Sequence, residues 1–129
     1  MIVGVGNDLL EVARMARELD EGGAAFKDTV FTVDEMRYCD QKRYPARHYA
    51  ARFAAKEAFF KALGTGQGDG LRWQDVEVRH GTAGEPFLVV HGETEEAVRR
   101  RGISRMLLSL SHTADMAMAS VVLDNDGGA

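Results

Sequence analysis

The stretch from Pro45 to Gly64, PARHYAARFAAKEAFFKALG, constrains the fold more than any other part of the chain. Proline is pre-set for a first helical turn, alanine, leucine, lysine and arginine favour the interior, and glycine supplies a left-handed terminus. The run therefore predicts one long helix. Around it the periodicity changes. IVGVG (2–6) reads as a short buried strand ending at Asn7-Asp8, and LLEVARMARELDEGG reads as an amphipathic helix stopped by Gly22-Gly23. Thr32-Val33-Asp34-Glu35 has the T-x-x-E spacing of a capping box and predicts a short helix ending near Gln41. DVEVRH and PFLVVHG pair across GTAGE as a hairpin, and RMLLSLSH and MAMASVVL pair across Thr113-Ala114-Asp115 as another, with a helix over 93–101 between them. Local hairpins mixed with separate helices predict an α+β fold, a small antiparallel sheet with packed helices, rather than a doubly wound sheet. One domain over residues 1–124 is expected, with 125–129 as a frayed tail.

At 129 residues, 45% hydrophobic and 28% charged, the composition is that of one ordinary soluble domain, and a chain this short builds a deep cleft more easily between subunits than within one. Cys39 is the single cysteine, which excludes an internal disulfide and a thiolate zinc cluster and fits a reducing compartment. The N-terminus lacks the basic start of a secretory signal, and no stretch approaches the ~20 apolar residues of a membrane span, so a cytoplasmic protein is expected. The net charge of −4 speaks against a nucleic-acid binder, yet Arg37 to Lys61 holds seven basic residues against Asp40 and Glu57. Such a segment is either a solvated helix face or the holder of a small polyanion.

Glu57 is the most informative acid. Its helical neighbours three and four positions away are Phe53, Ala54, Phe60 and Lys61, so a carboxylate projects from a largely apolar face and needs a cation: Lys61 one turn on, or a metal ion. Asp8 has two readings as well, an N-cap with D-x-x-E spacing to Glu11 or an oxygen ligand. If Asp8 and Glu57 converge, they give two hard ligands for a magnesium ion whose other positions go to water and phosphate oxygens, with Arg52, Lys56 and Lys61 offsetting phosphate charge. The glycine-rich 64–70 segment follows a helix instead of preceding one, so the helix dipole has the wrong sign for a phosphate and Gly64 reads first as a plain helix terminus. Ser111, His112 and Asp115 do not make a hydrolytic triad, because Ser109 and Ser111 merely alternate with leucines along a strand and no G-x-S-x-G elbow is present. Arg14 and Arg17 share one helix face, either as solvated charge or as a docking surface for an acidic helical partner.

Taken in order, GVGNDLLEV, ARFAAKEAFFKALGTG, GEP and SLSHT closely resemble the holo-acyl-carrier-protein synthase branch of the phosphopantetheinyl transferases, over nearly the whole chain. The resemblance implies that Asp8 and Glu57 bind magnesium with the diphosphate of coenzyme A, that Lys61 sits at that diphosphate, and that Glu57 takes the proton of a carrier-protein serine, directly or through water. Arg52, Gly64, Thr65 and His112 match positions around the coenzyme A phosphates and adenosine, and Lys56 on the same basic helix is expected to join them at the phosphates. Lys42 and Arg43 match more loosely, their spacing to the helix differing by one residue. Arg14 and Arg17 fall on the helix that docks the acidic carrier protein, and a homotrimer with clefts between subunits is implied. Asn7, Phe60 and Glu85 depart from the family's usual Thr, Ser and Lys. Two other readings of the same residues are a binding module without turnover and a metal-dependent phosphohydrolase.

Overall fold

A computed structural model describes residues 1–65 and 70–126. Strand β1 (Ile2–Glu11) leads into helix α1 (Val12–Val30), followed by α2 (Val33–Asp40) and the long α3 (Pro45–Leu63). A 3-10 turn at Trp73–Asp75 precedes the hairpin β2 (Val76–His80) and β3 (Pro86–Val90), then α4 (Gly92–Arg100) and the closing hairpin β4 (Arg105–His112) and β5 (Met116–Asp124). The strands form a three-stranded antiparallel sheet in the order β1-β5-β4 and a separate two-stranded β2-β3 sheet, so the α+β expectation holds.

Helix α3 is the centre of the molecule. Pro45 starts it and Gly64, at φ 81°, ends it in the left-handed region, as the sequence predicts. One side buries Ala54, Ala55, Ala58, Phe59, Phe60 and Leu63 against the hairpins and α4. The other buries Tyr49, Ala50 and Ala51 against Met15, Val30, Phe31 and Cys39. The alanines let neighbours approach closely, and β1 uses this: a Cβ at Gly4 would overlap the Ala62 carbonyl oxygen and one at Gly6 would overlap that of Ala58. Glycine at both positions lets the strand backbone lie directly on the helix backbone.

Two sequence expectations are corrected. The first strand does not end at Asn7-Asp8; β1 pairs with β5 as far as Glu11↔Met116, with Asp8 opposite Ala119. The period-2 pattern decides it, because Gly4, Gly6, Asp8 and Leu10 turn toward α3 while Val5 and Leu9 turn outward, and β5 supplies the ladder. Asp8 is thus a mid-strand residue and no helix cap; the residue before α1 is Glu11, which makes no capping hydrogen bond. Nor does Gly22-Gly23 stop α1. Gly23 adopts φ 57° and ψ −145°, a kink, and helical pairing resumes to Val30.

The Thr32 capping box forms as expected, and Glu35 is drawn further in than a capping residue needs to be. Its carboxylate, 1% exposed, accepts from the backbone N–H of Thr32 (3.0 Å) and of Val78 (2.9 Å) and from the Lys56 ammonium (2.8 Å), tying α2 to β2 and α3. At the chain's far end, Asn125 N–H donates to the Met1 carbonyl and Asp126 N–H to the Asp124 carboxylate; the remainder of the expected tail, 127–129, lies outside the described residues. No described helix is long and apolar enough to cross a membrane.

Candidate active site

The close crossing of β1 over α3 brings Asp8 beside the second half of that helix. Lys61 Nζ lies 2.9 Å from Asp8 Oδ1 and donates to the Asn7 carbonyl at 3.1 Å. Glu57, one turn earlier on the same helix face, has its carboxyl raised above the ordinary range, first by burial and then by the negative charge of Asp8, with Lys61 and Arg14 pulling the other way. Two carboxylates close enough to repel one another, beside one lysine and one arginine, have the donor chemistry that a hard cation takes. Among the described residues no group of three or more His, Cys, Asp or Glu side chains is placed to hold a metal, so any ion here must complete its shell with water or substrate.

Arg52 lies five residues before Glu57, which places the two side chains about 140° apart around the helix. It is 2% exposed, and among the described residues no carboxylate forms an ion pair with it. Its Nη2 contacts His80 Nδ1 at 3.3 Å, its guanidinium carbon sits 4.0 Å from the Tyr38 ring centroid, and its Nε has no hydrogen-bond partner. His112, at the end of β4, packs edge-on to His48 at 5.0 Å, and the Lys42 ammonium lies 4.5 Å over Tyr38. A cavity of about 210 Å³ opens between Arg52, Tyr38, His48, His80, His112 and Pro86. His48 is pushed down to about 4, by burial first and then by His112, Arg52, Lys42 and His80, a sign of how electropositive the pocket already is.

The remaining expected residues divide. Gly64 and Thr65 follow the helix end, where both backbone N–H groups donate to the Phe60 carbonyl and the Arg101 guanidinium donates to that of Leu63. Residues 66–69 of the glycine-rich segment lie outside the described residues. Arg43 rests on its neighbour Tyr44, 5.4 Å from the ring centroid, and does not line the Arg52 pocket. Arg14 lines an apolar cleft of about 330 Å³ with Leu10, Met15, Phe26, Phe53 and Trp73, while Arg17 is exposed on the same helix.

Lys56 is the clear correction. Its side chain is fully buried, and Nζ is spent on Glu35 at 2.8 Å, the Trp73 carbonyl at 3.2 Å and the Val76 carbonyl, so it holds the core together and has no donor to offer a phosphate. Burial pulls its ammonium below the usual lysine range, against the Glu35 charge that holds it up. Sequence reasoning missed Tyr38, His48 and His80. Tyr38 and Lys42 are four apart at a helix end, a weak signal; nothing local brings His80 to Arg52, because a strand-end histidine meets the helix only through the packing of the hairpin on α3.

Comparison with known proteins identifies the family. The model of the 4′-phosphopantetheinyl transferase superfamily matches residues 4–119. Among curated relatives, a holo-[acyl-carrier-protein] synthase of Geobacter sp. (strain M21) is 48% identical over 124 residues, covering 96% of this chain and 99% of the relative. One from Syntrophotalea carbinolica is 47% identical over 123 residues, covering 95% and 96%. Among solved structures, the holo-[acyl-carrier-protein] synthase of Neisseria meningitidis superposes with a TM-score of 0.86 at 34% identity, covering 96% of this chain and 99% of the other. That of Bacillus anthracis, in complex with CoA (3′,5′-ADP), superposes with a TM-score of 0.77 at 35% identity, covering 95% and 96%. The chain therefore belongs to the 4′-phosphopantetheinyl transferase superfamily and is an enzyme of the transferase class, on the holo-[acyl-carrier-protein] synthase branch.

Proposed function

We propose that the enzyme transfers the 4′-phosphopantetheine group of coenzyme A to a serine of an acidic apo acyl carrier protein, releasing 3′,5′-ADP, with magnesium as its cofactor. The observation that carries this reading is the meeting of Asp8, Glu57 and Lys61, contributed by two elements far apart in sequence. Their donor set fits the metal, since the mutual repulsion that raises the Glu57 carboxyl is relieved by a divalent cation. Asp8 and Glu57 would hold that ion, which supplies charge neutralisation at the diphosphate of coenzyme A. Glu57 accepts the serine proton as its oxygen attacks the β-phosphorus, directly or through one water. Lys61, already aimed at the anionic side of Asp8, stabilises the charge that develops on the departing phosphate.

The Arg52 pocket serves the other end of the substrate. Coenzyme A carries a phosphomonoester on the ribose, apart from its diphosphate, and a buried guanidinium without a carboxylate partner calls for such an anion. Lys42 and His112 add to that end, and Gly64 and Thr65 to the phosphate path. Because Arg52 and Glu57 leave α3 in nearly opposite directions, the two halves are joined when copies associate, one subunit's Arg52 pocket facing a neighbour's Glu57. Val3, Val5, Leu9, Leu107 and Met118 leave the outer face of the β1-β5-β4 sheet apolar and exposed, which supports a homotrimer. Arg14 and Arg17, beside the apolar cleft, suit the acidic carrier.

The test is incubation with apo carrier protein, coenzyme A and magnesium. The carrier should gain the mass of one phosphopantetheine group, and an unchanged mass across several carriers overturns the reading. Glu57→Gln should stay folded and lose roughly 10²- to 10⁴-fold in turnover.

A further inference from the structure

Arg52 is a long side chain with several donors, and nothing in its own charge decides which of them a ligand meets. The structure decides it through its neighbours. His80, at the end of β2 and opposite Pro86, stacks on Tyr38 with centroids 4.5 Å apart and planes at 4°, and turns Nδ1 to Arg52 Nη2 at 3.3 Å. For that contact to be a hydrogen bond, the imidazole must be neutral with its proton on Nε2. Burial, then Arg52 and then Lys42, hold His80 below its usual range, with only Glu85 acting in the opposite sense, so the neutral form is the one present near neutral pH. Tyr38 meanwhile takes the guanidinium on its ring. With one donor tied to His80 and the plane fixed on Tyr38, the guanidinium has a set orientation beside the cavity it lines.

We propose that His80 is a positioning residue: it holds the Arg52 guanidinium in one orientation toward a phosphomonoester in the cavity, and thereby sets the preference for coenzyme A over a substrate lacking that phosphate. The proposal rests on the reading of the Arg52 pocket as the phosphomonoester site. No exposed ion pair could do this job as well, since a partnered arginine would have its donors occupied before the substrate arrives.

The experiment is steady-state kinetics with coenzyme A and with 3′-dephospho-coenzyme A, on wild type, His80→Phe and His80→Asn, each checked for its melting temperature. His80→Phe keeps the aromatic stack and removes the acceptor. It should raise KM for coenzyme A roughly 5- to 20-fold, leave kcat within about two-fold, and leave KM for the dephospho compound unaltered. His80→Asn restores a short-reach carbonyl acceptor and should recover most of the loss. Full preference for coenzyme A in His80→Phe overturns the proposal, and so does an equal rise in both KM values, which is what a loss of packing alone produces. The underlying reading fails in a different way: wild type would then treat the two substrates alike, and Arg52→Leu would leave both unaffected.

Discussion

Replacing Lys56 by methionine separates a structural role from a substrate-binding one. Methionine keeps the linear stem and its packing, so what disappears is the ammonium. The Glu35 carboxylate, itself fully buried, is left as an unpaired charge, and the Trp73 and Val76 carbonyls lose a donor. Removing one member of a buried ion pair costs about 3–5 kcal/mol, because the partner's desolvation is no longer offset. For 129 residues the unfolding entropy is roughly 0.27 kcal/mol per kelvin, so about 4 kcal/mol corresponds to a melting temperature lower by roughly 15 °C. Urea unfolding at one fixed protein concentration measures the loss directly. Glu35→Ala should cost a similar amount, and the double variant should cost much less than the two together. Below the melting point, KM for coenzyme A should change by no more than about two-fold. A stability loss under about 1 kcal/mol, or a large rise in KM with stability intact, would refute the reasoning and return Lys56 to the ligand.

Other outcomes follow from the same contacts. Gly6→Ala forces a methyl into the Ala58 carbonyl, so β1 must lift from α3; stability should fall by about 1–3 kcal/mol, and turnover should drop by more than the unfolded fraction explains, because Asp8 moves with the strand. Thr94 is fully buried and its hydroxyl has no partner among the described residues, so Thr94→Val should be neutral or stabilising by up to about 1 kcal/mol in the same urea assay. The Asp124 carboxyl is lowered from the usual 3.8 to about 2 by the Asp126 N–H, then the Met1 ammonium and Arg105. Its contribution to stability is therefore complete above pH 3.8 and is lost as pH falls toward 2; Asp124→Asn should flatten the stability curve in that window and leave the neutral region's slope unchanged.

The long helix was legible because its signals are local: proline at one end, glycine at the other, and helix formers between them. The same holds for the Thr32 capping box and both hairpins, where turn chemistry and period-2 runs lie within a dozen residues. The extent of β1 was not local. LLEV suits a helix start as well as a strand, and only the β5 ladder on one edge and α3 beneath chose between them.

The site divides along the same line. The sequence by itself singled out Asp8, Glu57 and Lys61, since a carboxylate on an apolar face demands a cation and the motif spacing matched a known family. It could not tell Lys56 from Lys61, for both are lysines of one basic helix. Tertiary structure decided that Lys56 turns inward to Glu35 while Lys61 turns outward to Asp8. It also decided that Arg52 lies buried without an acid and within reach of His80 and Tyr38. Chemistry that depends on residue type and spacing can be read along a chain, whereas which charge is buried, and beside what, is settled only when separate elements pack and the cost of desolvation selects their partners.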